Sequence, residues 1–273
     1  MDTTLDLDGY FARIGYDGPR RADLDVLNAL HRLHPAAIPF ENLDSLLGRT
    51  PRLDLASIQA KLVAGGRGGY CFEQNGLFKA VLEVLGFTVT PLMARVLWSL
   101  PADAPPLPLT HMILKVDLAD GAYLADVGFG GLVMSAPLRL EPGLVQQTAH
   151  EPYRLMAEPD GHRLEAQLDA DDWRPLYRFT LQPHVPADYV MANWYTATYP
   201  ASIFTFLLMA ARAGPEGRVA LADNRLTLRP HGQAAQVTEL ADVAALAGAL
   251  KTHFGIDPPD DLDRLAGRIG LQP

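Results

Sequence analysis

Five glycines and the chain's sole cysteine fall within twelve positions, 65–76, in the run GGRGGYCFEQNG. The run leads straight into CFEQNGLFKAVLEVLG (71–86), where Leu77, Val81, Val84 and Leu85 recur at helical spacing and Gly86 marks the stop. A loop of high backbone freedom must therefore become a helix at Cys71. Unpaired N–H groups and the positive end of the helix dipole converge at such a junction. A free thiol ionises near pH ~8.5, and a helix N-terminus or an adjacent imidazolium lowers that to ~3.5–7.5. Two units of lowering favour thiolate by about 2.7 kcal/mol. A cysteine that only fills space, the usual fate of a free one, has no need of the glycines. Cys71 is the candidate nucleophile.

The single cysteine excludes an intramolecular disulfide and any multi-cysteine metal site, and it fits a reducing cytoplasm. The first residues, MDTTLDLDGYF, lack the apolar core of a signal peptide. The longest apolar run, FTFLLMAA (204–211), is too short to cross a bilayer. A net charge of −9 repels nucleic acid and anionic membranes, so an anionic ligand needs a local site of backbone N–H groups or a few basic side chains.

Hydrophobic periodicity divides the chain. RADLDVLNALHRLH (21–34), ended by Pro35, DLASIQAKLVAGG (54–66) and the cysteine segment read as helices. After residue 87, FTVTPLMARVLW, HMILKVDL, AYLADVGF and PYRLMAEPDGHRLEAQL read as strands, with a hairpin at EPDGHR (158–163). LPADAPPLPL (100–109) is an exposed loop. The remainder mixes a helix-like stretch (202–213), the β-like RVALADNRLTLRP and a final helix (240–255). The class is α+β, without the βαβ alternation of a nucleotide-binding sheet.

A nucleophile needs a base and a group that orients it. Among eight histidines, His31 and His34 read as lying on the polar side or end of a helix and His162 in a hairpin, whereas His111 opens the apolar strand HMILKV. Asp126 stands inside the apolar run YLADVGFGG, where a bare carboxylate is costly. If LADG (118–121) forms the four-residue loop, or DG (120–121) the two-residue turn, opposed residues sum to an odd number. Asp126 and His111 then share one sheet face; a three-residue loop would separate them. Cys71, His111 and Asp126 make a coherent catalytic triad.

RIGYDG (13–18), HRLHPAAIPFENLD (31–44), GRGGYCFEQN (66–75), THMILKV (110–116), YLADVGFGG (123–131) and NWYTATYPASIF (193–204) together resemble the arylamine N-acetyltransferase family. The resemblance implies an N-terminal helical bundle (1–88), a central antiparallel β-barrel-like domain (89–190) and an interdomain helix with an α/β lid (191–273), around a cysteine-protease-like core. It implies acetyl-CoA as acyl donor, no metal, and ping-pong transfer through an acetyl-Cys71 thioester to arylamines, hydrazines or N-hydroxyarylamines, as in xenobiotic metabolism. Thr110, Gly128, Gly130, Gly131 and Phe204 are the implied cofactor contacts, with Arg229 a candidate for the CoA phosphates. Phe40, Phe129 and Phe204 are the implied acceptor pocket, and Arg13, Glu41 and Arg67 a supporting ion network. The same triad would equally serve a cysteine hydrolase, an amidase or a transglutaminase-like enzyme. Physiological acceptor, acyl-chain length and oligomeric state are open at this level.

Overall fold

The computed structural model describes residues 4–101 and 103–271. α1 (Leu7–Ile14) starts at Asp6, whose carboxylate accepts from Gly9 N, and stops at Gly15 in the left-handed region. Asp23 caps α2 (Leu24–Ala37) in the same way, through Val26 N. This helix runs on through Pro35, the residue expected to end it. In the last turn a proline forfeits a single N–H bond, so the helix continues to Ala37. There follow β1 (Phe40–Glu41), α3 (Leu43–Leu46) and α4 (Leu55–Gln59), which continues as a π-helical turn, Ala60–Ala64. α5 (Cys71–Val84) begins at the cysteine itself.

Next come β2 (Thr88–Val96), β3 (His111–Leu118), β4 (Gly121–Ala125), β5 (Leu138–Arg139), β6 (Val145–Gln146), β7 (Tyr153–Glu158), β8 (Gly161–Asp169) and β9 (Asp172–Phe179). Among the described residues these make one antiparallel sheet, in the order β5-β4-β3-β2-β9-β8-β7-β6, that curls into a nearly closed barrel. Its inner face carries Leu92, Ala94, Ile113, Leu124, Leu164 and Tyr177. The outer faces of β2 and β3 turn Met93, Met112, Leu114 and Val116 onto the helices. The two layers of core thus meet at the strand His111 begins.

α6 (Pro186–Thr198) leads through a 3-10 turn (Ile203–Thr205) to β10 (Met209–Gly214), β11 (Gly217–Ala222), β12 (Arg225–Pro230), β13 (Gln236–Glu239), α7 (Val243–Ala249) and α8 (Leu262–Arg268). The helix expected over 202–213 is instead this short turn followed by β10. Leu, Met and Ala favour helix, but β10 is held between β1 and β11, and that pairing overrides propensity. The second sheet runs β1-β10-β11-β12-β13 and packs on α7 and α8. Its first strand is a piece of the N-terminal segment.

Candidate active site

Cys71 is the first residue of α5. Its amide belongs to the turn whose N–H groups have no intrahelical acceptor. Glu73 folds back to accept from Tyr70 N at 3.1 Å, which fixes the chain just before the cysteine. The segment after β4 passes directly beneath. At Gly128 an added Cβ would stand 2.8 Å from Cys71 Cα and 2.9 Å from Asn75 Nδ2. Only a glycine lets the Asp126 segment come that close to α5.

β3 and β4 pair with Asp117 opposite Ala122, the odd-sum register, so His111 and Asp126 share a face. His111 Nε2 lies 2.7 Å from Asp126 Oδ2. This leaves Nδ1 as the ring nitrogen for Cys71, which also stabilises the protonated ring. Cys71 Sγ points at the carbonyl of Thr110, 3.6 Å away. All three side chains are buried. Asp126 Oδ1 accepts from Asn75 Nδ2 and from Gly128 N, each at 2.9 Å. Burial alone would raise the Asp126 carboxyl, but the His111 charge and these bonds hold it below the usual range. Burial alone would lower His111, yet Asp126 and Cys71 push it up to about 10. The site is built to keep an imidazolium between a carboxylate and a sulfur.

Aromatic rings surround this centre. Phe129 meets the His111 ring edge-on at 5.2 Å, and buried Tyr177 lies 5.0 Å from it. Phe40 and Phe204 stand 6.2 Å apart, and Phe204 is 5.4 Å from Tyr70. Gly130, with φ +85°, brings backbone to the face of Phe40. Phe40, Phe204 and Gly130 therefore form one group and Phe129 with His111 another. Gly131 is exposed beside them with open space at its Cα. Gly128, expected as a cofactor contact, is instead buried against α5, which occupies the space a ligand would need. The Thr110 hydroxyl donates to Pro108 O at 3.5 Å.

The ion network holds a surprise. Arg67 pairs with Glu41 at 2.8 Å, as expected, but Arg13 does not join them. Arg13 donates to the carbonyls of Leu62 and Gly66 at 3.1 Å each and so supports the glycine-loop backbone. The centre of the network is Lys61, whose Nζ lies 2.6 Å from Asp44, 2.7 Å from Glu73 and 3.9 Å from Glu41. Burial pushes Glu73 up to about 7, against the pull of Lys61. His31 and His34, expected on a polar helix face, are wholly buried. Arg218, also missed, is buried between lid and barrel, donating to Glu151, Tyr153 Oη and the carbonyls of Gly131 and Val133. Their partners lie far away in sequence, so no local pattern marks them; only the charge of Lys61 in DLASIQAKLVAGG was a signal. Arg229 lies with Arg225, Thr227 and Val237 along a groove of ≈ 270 Å³ on the lid sheet. That groove is on the Phe40 side, since Phe40, Ala211, Ala220, Thr227 and Val237 form one cross-strand row.

A helix-borne cysteine facing a carboxylate-anchored histidine on an antiparallel barrel is the layout of the cysteine-protease-like fold class. Within that class the relatives are specific. The N-acetyltransferase family pattern matches residues 23–261. The arylamine N-acetyltransferase of Mycolicibacterium smegmatis is 46% identical over 268 residues, 97% of this chain and 95% of that one. The Escherichia coli arylamine N-acetyltransferase is 43% identical, over 93% of this chain and 90% of the relative. The Mycobacterium marinum enzyme, solved in complex with CoA, superposes with a TM-score of 0.92 at 43% identity, over 97% of this chain and 98% of that one. The chain belongs to the arylamine N-acetyltransferase family. Among the described residues no helix is long and apolar enough to cross a membrane.

Proposed function

We propose that this chain acetylates arylamines and arylhydrazines from acetyl-CoA by a ping-pong mechanism, with O-acetylation of N-hydroxyarylamines as a related activity. The observation that carries the reading is His111 clamped between Asp126 and Cys71. In the first half-reaction the Cys71 sulfur attacks the acetyl carbon. The bond from that carbon to the CoA sulfur breaks, and the departing sulfur takes the proton from His111. In the second, the amine nitrogen attacks the acetyl-Cys71 carbon, its proton passes to the now neutral His111, and the C–S bond breaks to restore the starting pair. Exchange between thiols is nearly isoenergetic, which suits a thioester intermediate. Arylamines are weakly basic and neutral at pH 7, so they attack without first losing a proton.

Asp126 orients the imidazole and stabilises its charge throughout. Phe129 beside His111, and the Phe40–Phe204 pair, offer apolar ring faces for the aromatic acceptor. The open backbone at Gly131 and the Arg225–Arg229 groove suit the pantetheine and phosphates of the donor, a local basic surface on a chain of charge −9. The names of relatives support the same assignment: one was solved with CoA, and the Salmonella typhimurium relative is named an N-hydroxyarylamine O-acetyltransferase as well. The reaction belongs in a reducing cytoplasm, where a lone thiol stays reduced.

The test is intact-protein mass spectrometry after brief mixing with acetyl-CoA, followed by a chase with an aminobenzoate-type arylamine. One acetyl group on Cys71, absent in Cys71→Ser and discharged by amine much faster than by water, is the expected result. Discharge at the same rate by water alone would assign a hydrolase instead. A reactive thiol that never loads would remove acetyl-CoA as the donor.

A further inference from the structure

Of two buried histidines one turn apart on α2, His31 touches this centre directly and His34 reaches it through Gln74. Asp126 N lies 3.0 Å from His31 Nε2. An amide N–H can only donate, so His31 Nε2 must present a lone pair and the ring must be the neutral Nδ1–H tautomer. His34 has the opposite assignment. Gln74 spends its amide N–H groups on the carbonyls of Pro39, at 2.7 Å, and Gly69, at 3.2 Å, which leaves Gln74 Oε1 facing His34 Nε2 at 2.7 Å. His34 Nε2 therefore donates, and its Nδ1 accepts from Tyr10 Oη at 2.9 Å. Both rings stand edge-on to Phe78, at 5.8 and 5.5 Å. Gly69 is two residues before Cys71, and Asp126 is the partner of His111.

We propose that His31 and His34 are positioning residues, through which α2 sets the Asp126 peptide on one side and the cysteine-bearing loop on the other. The role rests on the triad reading above. A neutral acceptor is what it requires: a protonated His31 would turn an N–H toward the Asp126 N–H, and the two donors would push apart. Burial keeps the rings neutral, holding His31 near 4 and His34 near 3. The ionisable groups that bear on the pair are Asp126 on the segment after β4, which favours a charged His31, and Arg13 on α1, which disfavours a charged His34.

Two measurements decide it. Nitrogen NMR of 15N-histidine-labelled wild type at pH 7 should show one buried ring as the Nδ1–H tautomer and another as Nε2–H, with the first assigned to His31 by its loss in His31→Gln. A His31 ring that is Nε2–H or charged overturns the proposal without any variant having to fold. In His31→Phe, which keeps an aromatic edge against Phe78, kcat should fall about 10–100-fold, the scale of losing a group that orients a reacting one, with KM within about twofold. Alkylation of Cys71 by iodoacetamide at pH 6 should slow in step, because a misplaced Asp126 loosens His111 from the sulfur. His31→Gln supplies an acceptor again and should restore most of both. A His31→Phe protein with lowered melting temperature but unchanged kcat and alkylation profile would make the residue merely structural and sink the idea. The alkylation arm needs no acetyl-CoA. A wild type that alkylates quickly but never loads would therefore refute the transfer chemistry while still testing the brace.

Discussion

Replacing Lys61 with methionine removes a single charge from the most concentrated group of ions beneath the glycine loop. The Lys61 side chain is 17% exposed, and its ammonium touches Asp44 and Glu73 at under 3 Å, with Glu41 at 3.9 Å. Arg67 would remain as partner to Glu41 and, at 3.4 Å, to Asp44, while Glu73 would keep the Tyr70 N–H but lose its ion-pair partner. Breaking a buried pair from one side costs about 3–5 kcal/mol, and methionine keeps the packing volume, so the loss is electrostatic. With a urea m-value near 3 kcal/mol/M the unfolding midpoint should drop by about 1–1.7 M.

The pH dependence separates this account from a packing effect. Glu73 has a folded pKa, about 7, above its ordinary 4.5. The stability its proton confers is complete below about pH 4.5 and lost as pH rises through 7. Without Lys61, which pulls that value down, it rises further. At pH 5 the carboxyl is neutral in both proteins, so only Asp44 and Glu41 register the substitution. At pH 8 the wild type carries an ionised, paired Glu73 and the variant does not. The deficit should grow between pH 5 and 8 by about 1–1.4 kcal/mol once the variant's Glu73 pKa has risen by a unit or more, a ceiling set by the one pH unit between the wild-type value of about 7 and pH 8. Urea titrations followed by tryptophan fluorescence at both pH values provide the readout. A deficit under about 1 kcal/mol, or one identical at the two pH values, would refute the reasoning.

Three other outcomes follow from the geometry. Gly128→Ala forces a methyl group onto Cys71 Cα and should cost about 1–3 kcal/mol, a melting-temperature drop of about 2–10 °C, with slower Cys71 alkylation; an unchanged melting curve would contradict the close approach. Arg218→Met strands Glu151 at the joint between lid and barrel, and limited proteolysis should then cut the lid well before the barrel; equal protection in both proteins would show that Arg218 is not the tie. Asp126→Asn keeps the shape but turns the accepting oxygen into an amide option for His111, so acetylation of Cys71 should fall by orders of magnitude, about 10⁴-fold if the tautomer is lost, while the fold persists by circular dichroism.

The parts legible in the sequence were those with local signatures. The glycine loop entering a helix placed Cys71, and parity limited His111 and Asp126 to one face for a two- or four-residue loop and to opposite faces for a three-residue one, a choice that the Asp117–Ala122 pairing makes in favour of one face. The segment 202–213 was misread because Leu, Met and Ala carry a helical propensity that pairing with β1 and β11 outweighs. His31 looked polar because its spacing says nothing about Asp126, a partner 95 residues away. Lys61 is aimed inward by a π-helical turn, which shifts the helix face that a regular period would predict. Arg13 carried the right charge for the ion network but finds backbone carbonyls first. Long-range polar pairing, rather than core formation, is what one-dimensional pattern leaves unseen.

The two residues of β1 have a consequence for how the chain comes off the ribosome. Phe40 and Glu41 pair with Ala211 and Ala210, and Glu41 N also holds Gly69 O at 3.1 Å. One dipeptide thus fastens the loop before the cysteine to a strand about 170 positions downstream. Contacts of such separation are closed late, after their closure entropy is offset by structure formed nearer by. During synthesis the helices and barrel can assemble first, while Phe40 and Glu41 wait as an unpaired edge until β10 emerges. The β1–β10 pairing can form only when translation is nearly done, so a chain stalled before residue 209 has its glycine loop joined to Glu41 but not to the second sheet.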